Sequence, residues 1–214
     1  MSRFMAAIYD RFMRDSERAC LEGWRAELLS DIAGDVLEIG AGTGASLRHY
    51  TSGVTRLVLT EPDPHMRTKL EARLRADGDH RGVRVERVEL SHATASALPF
   101  ADASFDVVVS MLVLCSVKDV EVTLREVARV LRPAGRFVFL EHIAAHDGTP
   151  RLAWQRRIEP FWKHLAGNCH LTRHTDASIN AAGFTLERDT RESMRKAMPF
   201  LRPTIRGVAR KAAP

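Results

Sequence analysis

The stretch Val36-Leu37-Glu38-Ile39-Gly40-Ala41-Gly42-Thr43-Gly44 decides the fold. It begins as a short apolar strand, which we predict over residues 35–39, and continues with a glycine at every second position. Glycines in such a place let the backbone turn sharply and leave room for a ligand to approach it. Because Ala45-Ser46-Leu47 then read as the start of a helix, the stretch predicts a cofactor-binding loop between a strand and a helix.

The spacing of the glycines and the acid before them indicate which kind of cofactor the loop binds. A dinucleotide site has Gly-x-Gly-x-x-Gly and seats an anionic pyrophosphate at the helix N-terminus, whereas here the third glycine comes one residue early. Glu38 would repel that anion and attract a cation. Because an unpaired carboxylate is costly to bury, we interpret Glu38 as a functional residue.

Glu61 adds a second carboxylate at the end of the next strand, which we predict over residues 56–60. It follows the first glycine by about twenty residues, a place where an acid can accept both hydroxyls of a ribose. A simpler interpretation, in which Glu61 caps the turn at Pro62, stays open. Glu38 and Glu61 together predict a ligand that carries a ribose and positive charge, and S-adenosylmethionine is such a ligand.

The order of patterns along the chain predicts one α/β domain. Helical segments with apolar residues three and four apart separate the strands, which is typical of a doubly wound, mostly parallel sheet. We expect seven strands, the last of them antiparallel, with N-terminal lid helices in 1–33, the cofactor-binding core in 34–145 and the acceptor side in 146–214. The remaining predicted elements are strands over 83–90, 105–110, 136–140, 184–187 and 204–209 and a helix over 175–182.

Composition excludes several classes of protein. The 214 residues are 45% hydrophobic, enough for one sizeable core. The sequence shows neither an uncharged apolar run that could cross a membrane nor a signal peptide, so we expect a cytoplasmic protein. The three cysteines, Cys20, Cys115 and Cys169, are far apart and form no Cys-x-x-Cys, so the sequence indicates neither a disulfide framework nor a metal site.

The formal net charge of +5 raises the question of an anionic partner. Basic residues are mostly interleaved with acids, so we expect no nucleic-acid partner. The tail after Met194 is the exception, and two interpretations of it stay open. It is a cationic surface that contacts an anionic ligand or a membrane, or it is a solvated end of the fold. A monomer and a homodimer both stay open. The tail residues expected to face no acid are Arg195, Lys196, Arg202, Arg206, Arg210 and Lys211.

Three segments carry a family resemblance. The opening stretch resembles motif I of the class I S-adenosylmethionine-dependent methyltransferases, residues 98–106 resemble the motif before their fourth strand, and residues 131–136 resemble their turn into the fifth. The similarity covers residues 34–190 and implies a Rossmann-like fold with S-adenosylmethionine as cofactor. The expected cofactor contacts are Tyr9, Glu38, Gly40, Ala41, Gly42, Gly44, Glu61, Pro62, Met66, Thr94, Ala95, Ser96 and Leu112.

Some of these expected contacts have alternatives. Many class I members place an acid after the third strand to bind the adenine amino group, but this chain reads Thr94-Ala95-Ser96-Ala97-Leu98-Pro99-Phe100 there. The Thr94 hydroxyl or the backbone at Ala95 and Ser96 would have to replace that acid. Tyr9 is expected to cover the cofactor as part of a lid, or else to lie on an amphipathic helix packed against the sheet.

The chain resembles more closely the branch that contains the vertebrate methyltransferase-like thiol methyltransferases, in residues 60–65, 112–117, 140–145 and 169–173. This resemblance implies methyl transfer to a small lipophilic acceptor, with a thiol as the first expectation. C- or O-methylation of a quinone-like or phenolic molecule is the alternative, and a non-catalytic S-adenosylmethionine-binding module is the alternative of another class. Unlike for those relatives, we expect no hydrophobic N-terminal anchor here.

Two histidines are the candidate catalytic residues, because ligands gather at the carboxyl ends of parallel strands. His142 follows the fifth strand, and His170 lies in the loop Asn168-Cys169-His170. Methyl transfer depends mostly on alignment of donor and acceptor, and for a thiol acceptor a neighbouring histidine raises the thiolate fraction. Two other interpretations stay open, in which His142 hydrogen-bonds Glu141 and His170 caps the region that follows it.

Cysteines and aromatic residues complete the acceptor side. Cys115 is interpreted as a small buried hydrophobe rather than a reactive group, while the role of Cys169 stays open. Trp154, Phe161 and Trp162 are interpreted as core residues of a helix, with an apolar acceptor site as the alternative.

Overall fold

A computed structural model of the chain describes residues 3–76, 79–80, 83–84 and 87–211. The strands are β1 Gly34–Ile39, β2 Val54–Thr60, β3 Asp79–His80, β4 Val83–Arg84, β5 Val88–Ser91, β6 Phe105–Met111, β7 Leu131–His142, β8 Phe184–Ser193 and β9 Pro203–Lys211. The α-helices are α1 Arg3–Ser16, α2 Glu22–Leu29, α3 Pro64–Ala76, α4 Val120–Val130, α5 Pro150–Leu165 and α6 Thr175–Ala181.

Seven strands form one sheet in the order β5-β2-β1-β6-β7-β9-β8. The first five of these are parallel, whereas β9 runs antiparallel to both β7 and β8. The doubly wound, mostly parallel sheet with an antiparallel last strand is therefore confirmed. The chain proceeds from β1 outward to β2 and β5 and then returns to β6, so the carboxyl ends of β1 and β6 flank a switch point, where such sheets bind ligands.

Apolar residues cover both faces of the sheet. On one face, Val36 of β1 packs in a cluster with Trp24 and Leu28 of α2. On the other face, Leu37 packs in a cluster with Leu124 of α4 and Ile179 of α6. A strand in the centre of a parallel sheet is buried on both sides, which is why β1 reads as a nearly continuous apolar run and why the acid within it is conspicuous.

Two predicted elements differ in the structure. Residues 83–90 do not form one strand, because β4 pairs with β3 in a separate two-stranded ribbon and only β5 joins the sheet, at its edge beside β2. The glycine stretch leads into a 3₁₀ turn, Leu47–His49, rather than an α-helix. The reason is Tyr50, which is fully buried and extended, with ψ of 138°, so the helix cannot continue through it.

Helices α1 and α2 precede the sheet as expected, joined by a π-helical turn at Glu17–Leu21. The buried guanidinium of Arg25 holds this turn by donating to both carboxylate oxygens of Glu17, at 2.7 and 2.5 Å. Along the part of the chain that the structure describes, no helix is both long enough and apolar enough to cross a membrane.

The interpretation of the cationic tail is wrong for two of its residues. Arg206 pairs with Glu27 and Glu192 at 2.8 and 2.9 Å, and Arg210 pairs with Glu187. These partners lie on α2 and on the neighbouring strand β8, which the sequence alone does not place beside β9. Two of the six basic residues of the tail are thus neutralised by acids within the folded domain.

The interpretation of the α5 aromatic residues as core residues is wrong. Trp154 and Phe161 are 64% and 75% exposed. Trp162 is half-buried and packs between Phe12 of α1 and Phe200, with ring centroids 6.4 and 5.2 Å away. Helix α5 therefore uses one aromatic residue to contact α1 and leaves the other two at the surface.

Candidate active site

The loop after β1, Gly40 to Gly44, which we call the glycine loop, has all three glycines at positive φ, of 58°, 59° and 82°. A Cβ at Gly40 or Gly44 would lie within 2.8 Å of a neighbouring side chain, so these two serve the packing of the loop. A Cβ at Gly42 would meet nothing closer than 4.0 Å. Gly42 therefore faces open space, which a ligand could fill.

Glu61 closes the glycine loop from the side of β2. Its buried carboxylate accepts hydrogen bonds from the backbone N–H of Gly42 and of Asp63, both at 2.8 Å. Burial raises the pKa of Glu61, and the two N–H donors oppose that rise. The carboxylate thus holds the turn after Pro62, as in the simpler interpretation, and also lies beside the open space at Gly42. Met66 adds a buried side chain whose Cε is 4.0 Å from the Cβ position at Gly42.

Glu38 is buried, but it is not the unpaired carboxylate that we had assumed. Its Oε2 accepts a hydrogen bond of 2.8 Å from the Tyr50 hydroxyl. Burial raises the pKa of Glu38, while the hydroxyls of Ser46 and Tyr50 and the charge of Arg25 lower it. The carboxylate therefore has a structural partner in addition to any ligand. Tyr50 was missed because nothing in the sequence links it to β1.

The residues expected at the adenine lie in a turn shortly after β5. The Thr94 and Ser96 hydroxyls are exposed and 3.3 Å apart, while Ala95 is buried. The end of β5 is tied to Glu61, because the Glu61 N–H donates to the Ser91 carbonyl at 3.0 Å. The turn is thus connected to the glycine loop through Glu61.

Helix α1 lies across this edge of the sheet. Asp10 accepts a hydrogen bond of 2.7 Å from the Thr43 hydroxyl of the glycine loop and pairs with Lys69 of α3 at 3.3 Å. The adjacent Tyr9 is half-buried, and burial of its hydroxyl raises its pKa, while the charge of Arg25 opposes that rise. Asp10 therefore ties α1 to the glycine loop, which is the first half of the candidate site.

The second half is the loop after β6, residues 112–117, which Glu141 of β7 organises. Glu141 Oε1 accepts from the Ser110 hydroxyl at 2.7 Å and from the Val113 N–H at 3.1 Å, while Oε2 accepts from the Cys115 N–H at 3.4 Å. Leu112 begins the loop at φ of 64°. Burial raises the pKa of Glu141, and these donors oppose the rise. The sequence had suggested Glu141 only as a partner for His142; instead it positions the loop.

His142 lies with two cysteines that are distant in sequence. Its Nε2 is 2.7 Å from Cys169 Sγ, and Cys169 Sγ is 4.0 Å from Cys115 Sγ. All three residues are buried, and we call them the cysteine–histidine cluster. Cys115 is buried, as expected, but it is also part of a group. The sequence did not indicate that two of its separated cysteines meet, and they do so because the loop after β6, the end of β7 and the segment after α5 converge here.

His170 is engaged elsewhere. Its Nδ1 is 3.2 Å from Glu159 of α5, whose carboxylate also accepts from the Leu171 N–H at 3.1 Å and from the Thr172 hydroxyl at 2.6 Å. Burial and the charge of Arg173 lower the pKa of His170. The side chain therefore ties the loop to α5 rather than capping a following helix.

The donor atoms on the glycine-loop side fit S-adenosylmethionine. The open space at Gly42 gives a ligand access to the backbone, Glu61 can accept ribose hydroxyls, and Glu38 supplies a negative field for a cation. The other side presents thiols and an imidazole. We call these sides the donor half and the acceptor half.

Known methyltransferases resemble this chain in sequence. Residues 37–139 match the family model described as a methyltransferase domain. Human thiol S-methyltransferase TMT1A is 37% identical over 174 residues, covering 81% of this chain and 69% of that protein. Thiol S-methyltransferase TMT1B of Rattus norvegicus is 39% identical over 150 residues, covering 70% of this chain but 59% of that protein.

A solved structure agrees with the fold. The YcgJ protein of Bacillus subtilis superimposes with a TM-score of 0.67 at 19% identity, over 90% of this chain and 98% of that chain. At that identity the likeness concerns the fold alone. Together with the sequence relatives and the glycine loop, it leads to one conclusion: the chain belongs to the class I S-adenosylmethionine-dependent methyltransferases.

Proposed function

We propose that this methyltransferase transfers its methyl group to the sulfur of small lipophilic thiols. The observation that carries the proposal is the acceptor half, where Cys115, His142 and Cys169 lie together at the carboxyl ends of β6 and β7. The names of the relatives support it, because the match to the human thiol S-methyltransferase extends well beyond residues 37–139.

In the donor half, we assign Glu61 to the ribose hydroxyls and Gly42 to close backbone contact. Glu61 already accepts two backbone N–H groups, so its carboxylate is fixed before the cofactor arrives, which lowers the ordering cost of binding. Glu38 contributes negative charge, and Tyr50 keeps it in place. When bound, S-adenosylmethionine supplies a methyl group activated by its positively charged sulfur.

In the acceptor half, the chain must align the thiol, exclude water and take up the thiol proton or its charge. We assign the last task to the cysteine–histidine cluster as a unit, and alignment to the 112–117 loop that Glu141 holds. We assign the exclusion of water to helix α1 with its Tyr9, since Asp10 of this helix contacts the glycine loop. His170 is assigned to positioning, because Glu159 engages its ring.

A matched acceptor panel tests the proposal. Purified protein is incubated with methyl-deuterated S-adenosylmethionine and with a long-chain thiol, the alcohol of the same chain, a phenol or a quinol, and products are read by mass spectrometry. We expect a deuterated methyl thioether from the thiol and none from the alcohol, with Glu61→Gln lowering its formation. Methylation of the phenol or quinol with no thioether from any thiol would contradict the proposal, and binding without turnover would indicate a non-catalytic module.

A further inference from the structure

We infer that Cys115, His142 and Cys169 form a zinc site whose fourth position takes the sulfur of the acceptor thiol. The three side chains each offer a ligand atom, and these atoms all lie within 4.8 Å of one another. The fourth ligand rests on the proposed function, whereas the three protein ligands rest on the structure. Two cysteines, one histidine and one exchangeable position are a known composition of catalytic zinc sites.

The distances are close to those of a tetrahedral site. With zinc–sulfur bonds of about 2.3 Å, two sulfurs on one tetrahedral zinc lie about 3.8 Å apart. The Sγ atoms of Cys115 and Cys169 are 4.0 Å apart, too far for a disulfide and near that value. His142 Nε2 is closer to Cys169 Sγ, at 2.7 Å, so the ring would move outward by less than about 1 Å on metal binding.

Burial and charge favour a divalent cation here. Cys115, His142 and Cys169 are 2%, 4% and 7% exposed, and His142 Nδ1 has no hydrogen-bond partner among the described residues. The ligand atom is the other ring nitrogen, Nε2, which faces Cys169 Sγ, so metal binding leaves Nδ1 without a partner among the described residues. Two thiolates and Zn²⁺ together are neutral, so the zinc site carries no net charge before the acceptor binds. The acceptor thiolate adds one negative charge, which methylation removes.

Backbone contacts hold the ligands in place. The His170 N–H donates to the Cys115 carbonyl at 2.7 Å, which ties the segment carrying Cys169 to the loop carrying Cys115. Asn168 adds a second tie, donating to the Ser116 carbonyl at 3.0 Å. The Ser116 hydroxyl is 3.5 Å from Cys115 Sγ, where it can donate to a thiolate. Such supporting contacts orient metal ligands.

The site lies beside the donor half. Val113, two residues before Cys115, fills the place that a Cβ at Gly40 would occupy, so the metal ligands adjoin the glycine loop. On binding, the acceptor thiol releases its proton to water. The sulfur lone pair then forms the bond to the methyl carbon, while the carbon–sulfur bond of the donor breaks and its electron pair stays on the donor sulfur. No oxidant or reductant is required.

Metal analysis of the full chain tests the three ligands without the cofactor. After incubation with zinc and dialysis, we expect one zinc per chain by elemental analysis, and with cobalt the thiolate charge-transfer and tetrahedral d–d absorption bands. Cys115→Ser and Cys169→Ser should each weaken zinc binding by at least about tenfold, the loss that even an outer supporting contact can produce. Cys20→Ser is the matched control, because Cys20 is also buried but lies outside the cluster.

The fourth position is tested by adding a long-chain thiol or its alcohol to the cobalt protein. A change in the charge-transfer band with the thiol alone supports the inference. Three results would overturn the inference: less than one zinc per chain, an equal loss of zinc affinity in Cys20→Ser, or a Cys115–Cys169 disulfide in the active protein. If chelator-treated protein methylates thiols at an unchanged rate, the zinc inference fails while the proposed function stands. If zinc binds but no thiol is methylated, the proposed function fails, and the assignment of the acceptor sulfur as fourth ligand fails with it.

Discussion

The donor half and the acceptor half of the site are built in different ways. The donor half comes from one continuous stretch, residues 38–44, closed by a single carboxylate from the next strand, Glu61. The acceptor half brings together residues from three segments: Cys169 is 27 residues from His142 and 54 from Cys115. The donor half is therefore a local motif, whereas the acceptor half exists only once the sheet has formed.

The two halves also differ in how their acids are used. Glu61 accepts backbone N–H groups and remains beside open space at Gly42, so it can serve a ligand. Glu141 accepts a hydroxyl and two backbone N–H groups in a fully buried position, so it serves the fold of the loop. Loss of an acid should therefore affect binding in one half and stability in the other.

The largest effect on stability is expected from Glu141→Ala. This change leaves the Ser110 hydroxyl and the N–H groups of Val113 and Cys115 without their acceptor, which should lower the free energy of unfolding by about 3 kcal/mol or more. Chemical denaturation measures it. Glu89→Ala, which removes an exposed ion pair with Arg56, is the control and should cost less than about 1 kcal/mol. Equal effects would show that Glu141 does not organise the loop.

The largest effect on cofactor binding is expected from Gly42→Ala. The new Cβ enters the space assigned to the ligand, so the Kd for S-adenosylmethionine should rise at least about tenfold, or 1.4 kcal/mol. The strain of positive φ should cost only about 1–2 kcal/mol of stability. Gly148→Ala is a matched control, since Gly148 also has positive φ and nothing within 4 Å. If both variants bind the cofactor like the unaltered protein, the space at Gly42 is not the cofactor site.

A smaller effect is expected from Tyr50→Phe, which removes the hydroxyl that donates to Glu38. The buried carboxylate loses one partner, so the free energy of unfolding should fall by about 1 kcal/mol, and the pKa of Glu38 should rise further. Affinity for S-adenosylmethionine should drop a few-fold by calorimetry. Unchanged stability together with unchanged affinity would show that the Tyr50 hydroxyl does not support Glu38.

The smallest effect is expected from pH. Burial raises the pKa values of Glu38 and Glu61 above the ordinary 4.5, and a cationic ligand favours their ionised forms. As the pH is lowered through these raised pKa values, both acids become protonated. Affinity for S-adenosylmethionine should therefore fall on acidification, and the fall should begin while the pH is still above 4.5. Calorimetry across this range measures the slope. Glu38→Gln should flatten it, and an affinity that rises on acidification would contradict the assigned charges.

The sequence predicted the donor half better than the acceptor half for a physical reason. Glycine spacing and an acid inside an apolar strand are local features, so the sequence could suggest Gly42, Glu38 and Glu61 as one group, and the structure joins Gly42 to Glu61 by a hydrogen bond. The 3₁₀ turn at Leu47–His49 was not predicted, because it depends on the burial of Tyr50.

The acceptor half depends on strand order, which no local pattern contains. His142 could be placed near the site from its position after a strand, but its cysteine neighbours could not. Glu141 was visible in the sequence only as the residue before a candidate histidine, and its role appears when the 112–117 loop folds over it. The same holds for Arg206, whose acidic partners come from α2 and β8.

Calorimetric titration of S-adenosylmethionine into Glu61→Gln and Cys169→Ser tests most directly that the two halves are separate. One residue belongs to the donor half and the other to the acceptor half, and each substitution nearly preserves side-chain volume. We expect Glu61→Gln to weaken binding at least about tenfold and Cys169→Ser to change it less than about twofold. Loss of binding in Cys169→Ser with normal binding in Glu61→Gln would contradict the separation of the two halves.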